Sequence, residues 1–229
     1  MKKYIECTLK ENPSVVMNVK ALRNIEYINK KLWNIKEKSA KELPHLHVFM
    51  DAKVSDNAIV SGNARVYGNA QVSGNARVFG NTLVHGDAIV FESGQVKGNA
   101  IVSGNAKVFG NAQVSGNAKV CGNAYVYEKA KVCGNALVYA HSELRGGAKA
   151  TTKTYNIGFL QWNTTLSDNH ISIGCKQWTY EQFLRLSEIH IGLEYSQEEY
   201  SQMIPAKDIL IDAIKLKRPD LFKKGGRII

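Results

Sequence analysis

Hydrophobic positions recur with a period of six between residues 52 and 153. Seventeen consecutive hexads follow one another there without an insertion, with units such as AIVSGN, ARVYGN and AKVFGN. Alanine takes the first position in 14 of them, valine the third in 15 and glycine the fifth in 12, whereas the second position is mostly polar. Self-similarity at a short fixed period is typical of solenoid folds.

The hexad also predicts the local geometry of each repeat. Positions one and three point to the same side because side chains alternate along a strand, so alanine and valine face an interior. Gly-Asn at positions five and six tolerates the left-handed backbone that a tight corner needs. Three such sides close a triangular coil of 18 residues, and residues 18 apart are then predicted to lie directly above one another.

This pattern resembles the hexapeptide repeats of left-handed parallel β-helices. The resemblance implies a mainly β fold with about 5.5–6 coils, each rising about 4.8 Å, the spacing of neighbouring strands. The predicted organisation is an N-terminal cap segment at residues 1–45, the left-handed β-helix at 46–153 and a C-terminal domain at 154–229. This last domain is predicted to cap the β-helix with a β-hairpin and α-helices.

The predicted caps follow from the open ends of a solenoid, which need covering. In the first segment, a four-three-four-three spacing of apolar residues from Ala21 to Ile35 predicts an amphipathic helix, and Val15–Val19 could be a strand that leads into the first coil. At the other end, Tyr155–Leu166 and His170–Cys175 are predicted to form a hairpin. Three helices are predicted after it: one from Thr179, one from the capping box at Ser196, and one that begins at Pro205 and ends before Pro219.

One corner of the predicted coil departs from the plain Gly-Asn repeat. In register it carries a column of exposed aromatic side chains, and an acidic residue replaces its glycine at every second coil. Exposed apolar strips usually mark contact surfaces. The predicted partner-binding or self-association strip comprises Ile89, Phe91, Glu92, Phe109, Tyr125, Tyr127 and Glu128. The alternative is that terminal segments of the chain, or a symmetry mate, cover it.

Charge adds a second candidate surface. The chain has 30 basic and 20 acidic residues, a net charge of +10, and ten basic against five acidic residues lie in the first 45. A basic stripe is predicted on the second face of the coil from Arg77, Lys97, Lys131 and Lys149. Positive fields attract phosphate-bearing partners, and nearby aromatic rings could stack on bases, so a nucleotide or nucleic acid is a candidate ligand. The alternative is a solvated face.

The repeats offer no convincing catalytic set. Hexapeptide acyltransferases use a histidine as general base and a loop that protrudes from the helix, but here His85 and His141 are 56 residues apart, which is not a multiple of 18, and no insertion breaks the hexads. Three converging histidines for zinc are missing, and Cys121 and Cys133 are expected to lie too far apart for a disulfide. No catalytic residue, metal or cofactor is therefore predicted. An acyltransferase using His85 is the alternative.

Two further motifs carry a resemblance to phage and prophage proteins of largely unassigned function. Arrays of the GNARVYGNAQVSGNA type occur in that group, and some members carry a C-terminal module similar to ISIGCKQWTYEQF followed by EYSQEEY; the likeness covers about residues 46–205. It implies a phage-encoded protein in the cytoplasm of a bacterial host. Few cysteines without a CxxC pair also favour a reducing cytoplasm, and no apolar run approaches the roughly 20 residues of a membrane span.

These observations lead to one functional hypothesis. The chain is predicted to be a non-enzymatic interaction protein that antagonises host defence. It would bind a nucleic-acid-dependent effector such as a CRISPR nuclease, or sequester a nucleotide signal. Its partner would be a host protein, a nucleoprotein complex or a phosphate-bearing ligand. A second alternative is a structural oligomer, such as a component of a phage particle with the aromatic strip as its subunit seam.

Overall fold

The fold is built around a parallel β-solenoid. The structure is a computed structural model that describes residues 4–13, 16–19, 28, 30, 33–38, 47–159, 162–173, 176–185 and 197–222. Seventeen two-residue strands, β4 to β20, form three sheets in which each strand pairs in parallel with the strand 18 residues further along. The predicted mainly β, parallel repeat fold is confirmed, with five full turns and two further strands. Its left-handed sense stays a prediction.

The three sheets are numbered in the order in which the chain enters them, and each corner takes the number of the sheet it follows. The first sheet contains β4 (Lys53–Val54), β7 (Gln71–Val72), β10 (Ile89–Val90), β13 (Lys107–Val108), β16 (Tyr125–Val126) and β19 (Glu143–Leu144). The second contains β5 (Ile59–Val60), β8 (Arg77–Val78), β11 (Gln95–Val96), β14 (Gln113–Val114), β17 (Lys131–Val132) and β20 (Lys149–Ala150). The third contains β6 (Arg65–Val66), β9 (Leu83–Val84), β12 (Ile101–Val102), β15 (Lys119–Val120) and β18 (Leu137–Val138).

Short side chains fill the interior of the solenoid. The alanines at position one and the valines at position three are buried along its whole length, as strand alternation predicts. The corner glycines take φ values between +55 and +85, the left-handed region that side chains with a Cβ rarely adopt. The predicted asparagine ladder is unbroken at the second corner, where amide groups 18 residues apart bond at 2.9–3.1 Å, in the order Asn63, Asn81, Asn99, Asn117 and Asn135.

An antiparallel sheet covers the start of the solenoid. Its strands, in the spatial order β2-β1-β3, are β1 (Tyr4–Leu9), β2 (Val16–Val19) and β3 (Trp33–Lys38). Val19 forms a parallel bridge with Val48, which in turn bridges to Val66 in the first full coil. The buried His47 ring joins the two parts, because its Nδ1 accepts the Asn18 N–H at 2.9 Å and its Nε2 donates to the Gly62 carbonyl at 2.9 Å.

The alternatives for the N-terminal segment are resolved in favour of strands where the structure describes it. Val16–Val19 forms a strand next to the first coil, as one alternative predicts. The amphipathic helix is wrong at its end, since Ile35 lies in β3, and residues 21–27 lie outside the described residues. Trp33 is buried and Asn34 exposed, the period of two that defines a strand. At the end of the predicted helix, the apolar residues therefore fit the alternation of a strand.

A four-stranded antiparallel sheet follows the last coil. Its strands are β21 (Tyr155–Phe159), β22 (Trp162–Leu166), β23 (His170–Ile173) and β24 (Lys176–Thr179). The predicted turn at residues 167–169 does join two strands, with Leu166 opposite Ile171. The predicted single strand over 155–166 is in fact the two strands β21 and β22, and Cys175 lies outside the described residues.

Two described helices pack on this sheet. They are α1 (Tyr180–Arg185) and α2 (Gln197–Lys217), and a 3₁₀ turn follows at Pro219–Leu221. The predicted helices from Ser196 and Pro205 are one continuous helix, so the prediction of a break at Pro205 is wrong. Proline in a helix interior removes one hydrogen bond, but buried Leu210 and Ile214 of α2 belong to the hydrophobic cluster of the C-terminal domain and support the helix beyond it. Residues 186–196 lie outside the described part of the chain.

Side chains of the turn at residues 167–169 accept the last backbone hydrogen bonds of the second sheet. In the preceding coil, the Lys131 and Cys133 N–H groups donate to backbone carbonyls 17 residues further along. In the last coil, the Lys149 N–H donates to Asn169 Oδ1 at 2.8 Å and the Thr151 N–H to Asp168 Oδ2 at 2.6 Å. The two side chains therefore replace the carbonyls of a coil that the sequence does not continue.

Thr82 gives a prediction about the solenoid core. It occupies an alanine position and is fully buried, and its Oγ1 has no hydrogen-bond partner in the part of the chain that the structure describes. A buried hydroxyl without a partner costs roughly 1–3 kcal/mol, so we expect the nearly isosteric Thr82→Val to raise the free energy of unfolding by about 1 kcal/mol. Urea denaturation measures this change. Ser142→Ala is the control, since Ser142 Oγ lies 3.4 Å from Thr154 Oγ1, and a larger gain there would contradict the explanation.

His170 gives a prediction about pH. Burial lowers the pKa of His170 below 6.5, and its Nδ1 is buried without a hydrogen-bond partner among the described residues. The unfolded chain therefore takes up the proton more readily than the folded one. Stability due to the neutral ring is complete above pH 6.5 and is lost as the pH falls below it. We expect His170→Gln to reduce the loss of unfolding free energy between pH 7.5 and 5.5, measured by urea denaturation at each pH. A loss as large as that of the wild type would contradict burial of the neutral ring as the cause.

Candidate interaction surface on the solenoid

The first corner carries a stack of three parallel aromatic rings. Phe91 and Phe109 lie 4.7 Å apart between ring centroids, and Phe109 and Tyr127 lie 4.9 Å apart, with interplanar angles of 10° and 3°. The 18-residue register brings them together, as predicted. The three side chains are half-buried rather than exposed, because each ring covers the face of the next. Mainly ring edges therefore face the solvent along this column.

Two apolar side chains of the first sheet border this column. Ile89 is half-buried, and Tyr125 is 39% exposed. The Lys107 ammonium lies 5.4 Å from the centroid of the Tyr125 ring, in the range of a cation–π contact. We refer to the predicted strip, Ile89, Phe91, Glu92, Phe109, Tyr125, Tyr127 and Glu128, as the first-corner strip. Tyr125 is its most accessible aromatic ring.

The acidic residues of the first corner have a structural role that the sequence did not reveal. Asp56, Glu92 and Glu128 all have φ near +55, where a side chain is strained. Each carboxylate accepts the backbone N–H of the glycine one coil further along, at 2.8–2.9 Å. A charge-assisted bond of this kind offsets the strain. The 36-residue spacing follows, since acidic residues alternate with the glycines that they bind.

A polar group closes the C-terminal end of the aromatic column. The Tyr127 hydroxyl donates to the Glu143 carboxylate, and Arg145 Nη1 lies 3.5 Å from the same hydroxyl. Burial, and then the bond to Glu143 and its charge, raise the pKa of Tyr127 to about 12. The phenol therefore stays protonated at physiological pH, and its hydrogen bond fixes the ring in the stack.

A second aromatic stack, which the sequence analysis missed, lies at the third corner. Phe49, Tyr67 and His85 are parallel, with centroids 5.1 Å and 4.9 Å apart. The 18-residue spacing of the three residues was the signal that could have found it. The stack holds His85 half-buried against Tyr67. His85 is the residue on which the acyltransferase alternative depends.

The predicted basic stripe is divided. Arg77, Lys131 and Lys149 do project from the second sheet, and Lys97 lies at the second corner. Gln95 and Gln113 stand between Arg77 and Lys131 in the sheet order, so the charges do not form a continuous row on this face. Lys131 and Lys149 are direct neighbours. The arrangement of cations becomes regular only when the third sheet is included.

The cysteines are structural in character where they are described. Cys121 and Cys133 are free thiols, in agreement with their predicted separation. Burial raises the pKa of Cys121, against an opposite effect of Lys119, and burial followed by the charge of Glu6 raises that of Cys7 to about 12. Both thiols are therefore protonated at neutral pH, the unreactive form. No group of three metal-ligating side chains occurs among the described residues.

Comparison with known proteins identifies the repeats. A family model described as the YdcK beta solenoid repeat matches residues 52–68, 60–72 and 70–86. No curated protein and no solved structure matches the chain significantly. No helix in the described ranges is long and apolar enough to cross a membrane. Over residues 52–86 the chain is thus similar to YdcK-type repeats, and sequence match and fold together make it a repeat β-solenoid protein.

Proposed function

We propose that this protein is a non-enzymatic interaction protein that binds a protein partner through the first-corner strip. The observation that carries the proposal is the rigid stack of Phe91, Phe109 and Tyr127 beside exposed Tyr125. Aromatic side chains dominate the energetic centres of protein interfaces, and rings already fixed by stacking lose little entropy on binding. Charged groups of both signs border the apolar rings, since Glu92 and Glu128 lie near Lys107, Lys129 and Arg145.

The narrower form of the proposal concerns the identity of the partner. The resemblance to phage and prophage repeat proteins favours a defence protein or nucleoprotein complex of a bacterial host, met in the cytoplasm. The protein would then act as an antagonist by occupying that partner. Among the described residues no distance or contact favours the acyltransferase alternative, and the structural oligomer is an outcome of the same experiment that tests the strip.

Site-specific photo-crosslinking tests the proposal. A crosslinking amino acid replaces Tyr125, and the control replaces Gln113, which holds the same hexad position on the second sheet. In bacterial extract we expect an adduct with a second protein from position 125 only. Unlabelled wild-type chain should suppress this adduct, and Ile89→Asp/Tyr125→Asp should not.

Three outcomes would contradict it. Equal adducts from both positions would show that binding is not specific to the strip. The absence of any adduct would show that the strip contacts no protein of the extract. An adduct between two copies of this chain, together with a dimer or trimer mass in sedimentation, would assign the strip to self-association and support the structural oligomer.

A further inference from the structure

The charged side chains of the solenoid are segregated around its axis. Residues 47–153 contain eleven basic and six acidic residues. All six acidic residues lie on the first sheet or on the two corners that flank it: Asp51, Asp56, Asp87, Glu92, Glu128 and Glu143. The second sheet, the third sheet and the second corner between them carry no acidic residue within residues 47–153. We refer to this half of the surface as the basic side.

The cations of the basic side are regularly spaced along the axis. Six of them form a row with one member in each coil, namely Arg65, Arg77, Lys97, Lys119, Lys131 and Lys149, and Lys153 is a seventh cation, in the last coil. Neighbouring coils are about 4.8 Å apart, so the row is about 24 Å long. All are exposed except Lys97, which is half-buried, and no described group forms an ion pair with any of the six. Asp168, bound to Thr151, lies beside the last coil.

These cations stand on both sides of a convex ridge. The third sheet contributes two of the six cations and the second sheet three, and the second corner between them is the ridge. The ridge carries the unbroken amide ladder from Asn63 to Asn135 and the corner glycines. At the first corner the corresponding glycine N–H groups bind carboxylates of the protein itself. No acidic side chain takes that place at the second corner within residues 47–153.

We propose that the basic side binds a nucleic-acid duplex through its phosphates. A duplex is stiff and carries one charge per about 1.7 Å of axis, so a rigid row of cations can contact it along its length without an ordering cost. An acidic peptide would lose conformational entropy when it straightened along the same row. Cations on both flanks of the ridge suit the two phosphate strands that border a groove. This surface adjoins the first corner along the second sheet, but it shares no residue with the first-corner strip and is independent of the function proposed there.

Fluorescence anisotropy with the full chain and labelled 20-base-pair DNA and RNA duplexes tests the proposal, and the two arms identify the preferred duplex. With about six phosphate contacts, we expect the affinity to fall by roughly 10³-fold between 50 and 200 mM salt. Lys119→Glu/Lys131→Glu should weaken binding at least about tenfold and reduce the salt slope by about two. The control Lys53→Glu/Lys107→Glu makes the same change in net charge on the first sheet, and we expect an effect below about threefold at the same salt.

Circular dichroism establishes that both double variants keep the solenoid before affinities are compared. Absence of duplex binding at 50 mM salt would overturn the proposal. An equal loss in both variants would also overturn it, since net charge alone would then explain the binding. Tighter binding of labelled polyglutamate than of either duplex would overturn it in favour of an acidic protein partner.

Discussion

Gly80→Ala is expected to lower the free energy of unfolding by about 2–4 kcal/mol. Gly80 has φ +85, and a left-handed backbone costs a residue with a Cβ roughly 1–3 kcal/mol. An added Cβ would also lie 2.8 Å from the Gly98 carbonyl oxygen in the next coil, a backbone atom held by the ladder. Because every coil rests on the one before it, relief of this contact would separate two coils. Urea denaturation followed by circular dichroism measures the loss.

Gly147→Ala is the matched control for this prediction. Its φ lies outside the left-handed region, and the nearest atom to an added Cβ is His170 Cε1 at 3.8 Å, an ordinary contact. We expect a change within about 0.5 kcal/mol, as for other surface substitutions without a special contact. Similar losses in the two variants would show that corner geometry is not what requires glycine at position five.

Asp168→Ala is expected to destabilise the C-terminal end of the solenoid by about 3 kcal/mol. The Asp168 carboxylate accepts two bonds from Thr151, from the N–H at 2.6 Å and from Oγ1 at 2.7 Å. A hydrogen bond to a charged group contributes roughly 1.5–3 kcal/mol, and its loss leaves the donor without a partner. The amides of Lys149 and Thr151 should then exchange with solvent faster, which hydrogen exchange measures residue by residue.

Two further variants separate this role from a general effect of charge. Asp212→Ala removes an exposed carboxylate that pairs with Lys215 on α2, and we expect a loss below about 1 kcal/mol. Asp168→Asn keeps one carbonyl oxygen as acceptor and should have an intermediate effect. If the last coil exchanged at the wild-type rate in Asp168→Ala, the turn at residues 167–169 would not be what closes the ladder.

The solenoid presents two chemically different sides on one rigid body. The first-corner strip combines aromatic rings with carboxylates, whereas the basic side carries cations and no acidic residue from within residues 47–153. The two sides share no residue, so variants on each can be tested separately. A protein that contacted a nucleic-acid-dependent effector on one side and a duplex on the other would match both proposals. Loss of one interaction with retention of the other is a measurable outcome.

The amino-acid sequence by itself determined the solenoid and its surface columns. Strand alternation fixes which residues of a hexad face the interior, and three equal sides fix the 18-residue register. From that register alone the contact between Phe91 and Phe109 follows, and so does the Asn63–Asn135 ladder. The same register also predicts the third-corner stack and the basic side, once the residues of all three faces are compared. A strict local repeat makes long-range neighbours predictable because every coil has the same length.

Only the tertiary structure decided what happens where the repeat is modified or ends. The bonds from Glu92 and Glu128 to the next coil depend on how far each side chain reaches across a corner. The use of Asp168 and Asn169 in place of a further coil depends on where a turn meets the last strand. The strand β3 stands where the end of the predicted helix was expected, for the same reason. The contacts of Asp168, Asn169 and β3 join segments with no common period, whereas the glutamate bonds depend on side-chain reach within the 18-residue register. Packing of side chains in three dimensions selects both.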